Sequence, residues 1–199
     1  MKTLVPALAL IVCVGCDSSP KDTPASTLNL SLATEKDPQL KALVDLGAEI
    51  LRNDEDEVEL ISMKNHASTD DSILLVKDLP SLRTLEFNGC RGLTKAGIQH
   101  LQELGGIEKL VFIETGITDD VLEQLQSVEQ LKELVLNDAD VTDAGLKYLE
   151  GLPNLTSLSL NKSSLTAAGL EHLSGIKGLI KLDLRGSRID EDGVVTLGT

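Results

Sequence analysis

The chain has 199 residues, is 41% hydrophobic and 2% aromatic with no tryptophan, and carries a formal net charge of −14. One domain of ordinary size plus a tail fits that length, and its core must be aliphatic. The acidity repels phosphate backbones, and with neither a basic patch nor an aromatic stacking platform no nucleic acid partner is expected.

Lys2 precedes an apolar run over residues 4–12, too short to cross a bilayer as a mature helix. The run ends in Cys13-Val14-Gly15-Cys16, followed by Asp17-Ser18-Ser19-Pro20. Residues 1–15 read as an export signal. Small residues before a cysteine resemble the lipobox of bacterial lipoproteins, although Cys13 stands where that motif usually has leucine. The resemblance implies cleavage before Cys16, acylation of Cys16 and stable anchorage to a membrane through several acyl chains. The expected location is the cell envelope, on the periplasmic side or the outer surface. An ordinary secretory signal cut nearby is the alternative. Loss of Cys13 and lipidation of Cys16 leave Cys90 alone, so no intramolecular disulfide is expected.

Residues 16–36 are rich in Ser, Thr, Pro, Asp and Lys and read as a flexible tether. Residues 37–57 read as an N-terminal cap. Asp37 suits a helix N-cap, Pro38 the first helical position, and Gly47 the stop. Between them Leu40, Leu43 and Val44 recur at helical spacing. Residues 48–52 then read as a strand, 53–57 as an acidic turn, and the chain re-enters a strand at Val58.

Residues 58–199 repeat. The template is L-x-x-L-x-L, five or six residues, then T-D-x-G-L-x-x-L-x-x-L. Its first positions are Val58, Leu82, Ile107, Leu131, Leu155 and Leu179, in steps of 24, 25, 24, 24 and 24. Six units in register are the signature of leucine-rich repeats. The stretch Val141-Thr142-Asp143-Ala144-Gly145-Leu146 and its counterparts resemble the cysteine-containing, ribonuclease-inhibitor-like type. That type places a Cys eight positions after the first Leu; only Cys90 keeps it here. The whole resembles short bacterial leucine-rich-repeat lipoproteins. The resemblance implies an α/β solenoid, with one parallel strand per repeat on the concave side and short helices on the convex side. Similar repeats occur in F-box substrate adaptors, but no F-box precedes these, which leaves an adaptor role as a distant alternative.

The recurring stretch reads as architecture. Thr69, Thr94, Thr118, Thr142, Thr166 and Asp190 occupy one position and are all capping residue types. Asp70, Asp119 and Asp143 follow in the first turn, where the helix dipole favours a carboxylate. Gly97, Gly145, Gly169 and Gly193 let each helix start lie close to its neighbour. A rival reading stacks the carboxylates into a cation ladder, about 5 Å apart. Lys95, Ala167 and Glu191 interrupt that ladder, so no metal is expected.

Nothing catalytic stands out. His100 and His172 share a solvated helix slot, and His66 sits at the turn position where Cys90 recurs one repeat on. A Cys90–His66 dyad has no third group to orient it. There is no G-x-S-x-G, P-loop, H-E-x-x-H or Rossmann glycine pattern. Neither an enzyme nor a cofactor is expected.

Stacked repeats form a curved surface suited to binding. Strand alternation sends three columns outward. The middle column is Ser62, Glu86, Val111, Val135, Ser159 and Asp183. One flank runs Lys64, Asn88, Ile113, Asn137, Asn161 and Arg185, and the other Leu60, Thr84, Lys109, Glu133, Ser157 and Lys181. Val111, Ile113 and Val135 are expected to be exposed and adjacent, rimmed by Lys109, Glu133, Glu86 and Asn137. An apolar centre with a polar rim fits a protein interface, whereas β-branched residues also simply suit strands. The last repeat reaches Val194 and Leu197 with no polar capping repeat after it. Such an end is covered by self-association, frays, or continues in a longer chain. The sequence therefore supports a non-catalytic protein-binding module, with a structural or self-associating surface lipoprotein as the alternative.

Overall fold

The computed structural model describes residues 11–13, 37–64 and 69–189. Cys16, His66, Asp190 and Gly193 lie outside these residues, as does most of the expected signal and tether.

The cap forms as its sequence dictates. Helix α1 (Pro38–Asp45) starts at Asp37, whose Oδ1 accepts from the N–H groups of Gln39 at 2.9 Å and Leu40 at 3.4 Å. Its apolar face buries Leu40 and Leu43. Gly47 supplies the left-handed turn (φ 86°) that leads into β2 (Ala48–Arg52). β2 pairs antiparallel with β3 (Val58–Lys64) across a tight turn. There Asn53 Oδ1 accepts from the N–H groups of Glu55 and Glu57.

From β3 onward each repeat contributes one parallel strand: β4 (Thr84–Asn88), β5 (Lys109–Ile113), β6 (Glu133–Asn137), β7 (Ser157–Ser159) and β8 (Lys181–Asp183). The sheet order is β1-β8-β7-β6-β5-β4-β3-β2. Strand β1 is Ile11–Cys13, which lies parallel to β8 with Val12 opposite Leu182. The sequence gives no sign of that pairing. The convex side carries α2 (Asp70–Leu74), α3 (Lys95–Gln99) with a 3-10 turn at His100–Glu103, α4 (Asp119–Leu125) and α5 (Ala167–Leu173). In the fourth repeat the convex segment is a 3-10 helix, Leu146–Gly151. The leucine-rich-repeat solenoid with its helix-and-hairpin cap is thus the fold of the chain.

Inward strand positions form the core. Leu85, Phe87, Leu110, Phe112, Leu134, Leu136, Leu158 and Leu160 are buried, and the rings of Phe87 and Phe112 stack with centroids 5.4 Å apart. Cys90 is buried beside them, its Sγ 3.4 Å from the carbonyl oxygen of Met63.

The Thr-Asp-x-Gly stretch does more than cap. Asp70 accepts from Thr94 of the next repeat twice, from N–H at 2.7 Å and from Oγ1 at 2.6 Å. Asp119 grips Thr142 the same way, at 2.9 and 2.6 Å, and Asp143 grips Thr166 at 2.9 and 2.6 Å. Each carboxylate fills the space above the glycine three residues after the gripped threonine. A Cβ built on Gly97, Gly145 or Gly169 would overlap Oδ1 of Asp70, Asp119 or Asp143. Where the aspartate is replaced by Lys95, the next repeat has Val121 in place of glycine.

This corrects two of the expected caps. Thr142 does not cap a helix, because its Oγ1 donates to Asp119 and the 3-10 helix starts only after Gly145. Thr118 precedes α4, but its Oγ1 donates to Asp120, so it offers α4 no side-chain cap. Thr94 and Thr166 do cap, accepting from Ala96 N–H at 3.2 Å and Ala168 N–H at 3.3 Å. Thr69 pairs with Ser72 in a capping box.

Gly145→Ala should therefore destabilise the fold by about 2 kcal/mol, since it expels a carboxylate that holds two charge-assisted hydrogen bonds. In an Asp119→Ala background the same change should cost well under half as much. Urea unfolding of the four species of this cycle measures the coupling, and strictly additive costs would exclude the clamp.

Candidate functional site

The concave face is one row of parallel strands whose register is continuous. Ser62, Glu86, Val111, Val135, Ser159 and Asp183 lie opposite one another in sequence, as do Lys64, Asn88, Ile113 and Asn137. The columns read from the sequence are these columns within the paired strands; Asn161 and Arg185 lie beyond the ends of β7 and β8.

Exposure differs from direction. Val111 points to the concave side but is only 8% exposed, so it is not part of an open patch. It lies opposite Glu86 on one side and Val135 on the other, at a strand spacing of about 4.8 Å, and neighbours that close cover a small side chain on a concave surface. Ile113 and Val135 are half-buried. The apolar centre is therefore narrower than the sequence implies and consists of these two side chains. Lys109 and Glu133 flank it as an ion pair, Nζ to Oε1 at 3.0 Å, with about a third of each side chain exposed. Glu86 is half-buried at its other margin.

Asn137 begins a polar chain that the sequence columns contained but did not reveal as a network. Its Oδ1 accepts from Ser159 Oγ at 2.8 Å and from Asn161 N–H at 3.2 Å. Asn161 Nδ2 donates to Asp183 Oδ2 at 3.2 Å. Arg185 closes the chain with Nε to Asp183 Oδ1 at 2.9 Å and Nη2 to Oδ2 at 2.7 Å. Burial alone raises the pKa of the Asp183 carboxyl. The hydrogen bonds from Arg185 and Asn161 outweigh it and hold the group below its ordinary value.

Beside Ile113 and Asn137 the chain turns out of the strands. Residues at this turn take left-handed backbone: Gly89, Glu114, Asp138, Lys162 and Gly186. The N–H groups of Gly89, Glu114, Asp138 and Lys162 each donate to a carbonyl of the next repeat, at 2.9 to 3.1 Å. That ladder fixes a ridge of side chains along the face. A cleft of about 370 Å³ opens on the ridge, lined by Arg91, Glu114, Thr115, Gly116, Asp138 and Asp140. Arg91 belongs to the one repeat with an extra residue, which falls between Cys90 and Thr94. Thr115 takes the cysteine position; it is 2% exposed and its Oγ1 has no hydrogen-bond partner.

The convex side carries His100 and His172. His172 Nδ1 lies 3.2 Å from Glu150 Oε1 and His100 Nδ1 3.4 Å from Glu103 Oε1, both at the surface. No cluster of metal-ligating side chains occurs among the described residues, and no described helix is long and apolar enough to cross a membrane.

Two solved structures illustrate what this chain is similar to. An internalin from Listeria monocytogenes superposes with a TM-score of 0.50 at 23% identity, covering 62% of this chain and 34% of the internalin. The chain thus spans about a third of the internalin. Actin-Binding Site 2 of leiomodin-1 superposes with a TM-score of 0.51 at 17% identity, covering 65% of this chain and 87% of that domain. Both likenesses are of fold. No family model and no curated protein matches the sequence.

The Asp183 contribution to stability has a defined sign. With its folded pKa depressed, the stabilisation is fully present above the unfolded carboxyl value, about 3.9, and is lost as pH falls through the lower folded value. Urea midpoints measured from pH 6 to pH 2.5 should fall more steeply for the parent than for Asp183→Asn. Parallel curves would show that Asp183 is not held in this way.

Proposed function

We propose that the chain is an exported, lipid-anchored, non-catalytic module that binds a partner protein on its concave strand face at the cell envelope. The observation that carries this reading is the half-buried pair Ile113 and Val135, set in a continuous parallel strand row and framed by the Lys109–Glu133 ion pair, Glu86 and Asn137. A small apolar centre with a polar rim is the anatomy of a protein interface. Rigid strands hold these side chains in place, as a binding surface requires. The fold shared with an internalin and with a leiomodin domain described as an actin-binding site supports a protein partner. Export and the anchor rest on the Cys13-Val14-Gly15-Cys16 run after an apolar segment.

The second reading, a self-associating surface protein, is favoured by one feature. Ile180 is 51% exposed immediately before β8, and an exposed apolar side chain beside the last described repeat suits contact with another copy.

Two measurements test the proposal. With a photo-reactive residue at Val135 in the full chain in its native cell, one foreign protein should be captured that is not captured from Gln124 on the convex side. Capture of nothing, or only of the chain itself, would move the reading to self-association. Labelled palmitate should enter the parent chain and not Cys16→Ser; equal labelling would remove the anchor.

A further inference from the structure

The concave reading can be carried to the chemistry of the partner, and this step rests on it. The cations of the apolar centre are already engaged. Lys109 pairs with Glu133 and, two strands away on β3, Lys64 pairs with Glu49 at 2.5 Å. Arg185 is bound to Asp183. The carboxylates on the adjoining ridge are not engaged in this way. Glu114, Asp138 and Asp140 line one cleft and form no ion pair with any described residue. They are exposed, and Glu114 and Asp138 are held by ladder hydrogen bonds next to Ile113 and Asn137. Arg91 is the sole cation among the residues that line the cleft, against three carboxylates. Thr115, whose buried hydroxyl lacks a partner, forms part of the same wall.

We propose that the strip formed by Ile113, Val135 and this cleft binds an extended segment of the partner that presents an apolar side chain next to one or two lysine or arginine side chains. The apolar residue packs on Ile113 and Val135, and the cations enter among Glu114, Asp138 and Asp140. Charge complementarity selects this occupant over others. A second copy of a chain with net charge −14 is repelled at long range, and an acidic or phosphate-bearing partner meets the same field. The requirement for an adjacent apolar residue separates this occupant from general attraction of polycations.

The test uses the full chain and two synthetic twelve-residue peptides, one alternating valine with lysine and one alternating valine with glutamate. A photo-reactive residue stands at Val135 or, as control, at Gln124. The valine-lysine peptide should crosslink at 135 and not at 124, and its affinity should fall about tenfold in the Glu114→Gln, Asp138→Asn, Asp140→Asn variant. These changes keep side-chain size, and asparagine tolerates the left-handed backbone at 138. Crosslinking at 135 with equal affinity for the glutamate peptide, or with none lost in the triple variant, overturns the basic-partner inference and leaves concave binding standing. Failure of both peptides to crosslink at 135 above the control overturns the inference and counts against the concave face itself.

Discussion

Each repeat must bring the chain back to within one strand spacing of where it began, about 4.8 Å away, after passing through a turn and a helix. That return constrains everything else in the molecule. On the strand side it is met by ladder hydrogen bonds and a row of buried leucines. On the convex side helices are wider than strands, and the repeats must be drawn together there by contact that does not depend on a backbone ladder. At three junctions an aspartate, Asp70, Asp119 or Asp143, makes that contact. It reaches one repeat forward, takes two hydrogen bonds from the next threonine, and occupies the volume that a side chain on the next glycine would need.

Seen in this way, the Thr-Asp-x-Gly stretch is two half-motifs that belong to different junctions. The aspartate of one repeat and the glycine of the next form a unit. At one junction both halves change together, since Lys95 in place of aspartate is followed by Val121 in place of glycine; at Ala167 only the aspartate is lost, and Gly193 remains. The consensus read within single repeats cannot show this, because the aspartate lies 26 or 27 residues from its glycine. A reading limited to local capping therefore assigned Thr142 to a helix N-terminus it does not occupy.

Periodicity made the fold legible, and alternation gave the strand register residue by residue, because both follow from the geometry of a single strand. The cap was legible for the same reason, since Asp37, Pro38 and Gly47 act on their immediate neighbours. The site was legible only in outline. Alternation tells which way Val111 points, but its exposure depends on curvature and on the size of Glu86 and Val135 beside it. The Asn137–Ser159–Asn161–Asp183–Arg185 chain lay in the same columns, yet its connectivity depends on rotamers. The acidic cleft was missed because its residues follow the strands, in turns that the repeat template leaves blank.

The junction between the second and third repeats shows how the solenoid tolerates a missing clamp. There Lys95 reaches Glu123 of the next repeat instead, Nζ to Oε2 at 2.6 Å, and the hydrogen bond to that carboxylate raises the lysine pKa. Both side chains are about half exposed, and an ion pair so placed contributes little to stability. The compensation lies in the core. Phe87 and Phe112, the two phenylalanines of the chain, stack across this same junction. Such a pair adds roughly 0.5–1.5 kcal/mol beyond its buried area. The bulk of Phe112 sits directly behind the strand that presents Val111 and Ile113. The strand that carries Val111 and Ile113 is thus braced from inside at the one described junction where the outer clamp is replaced.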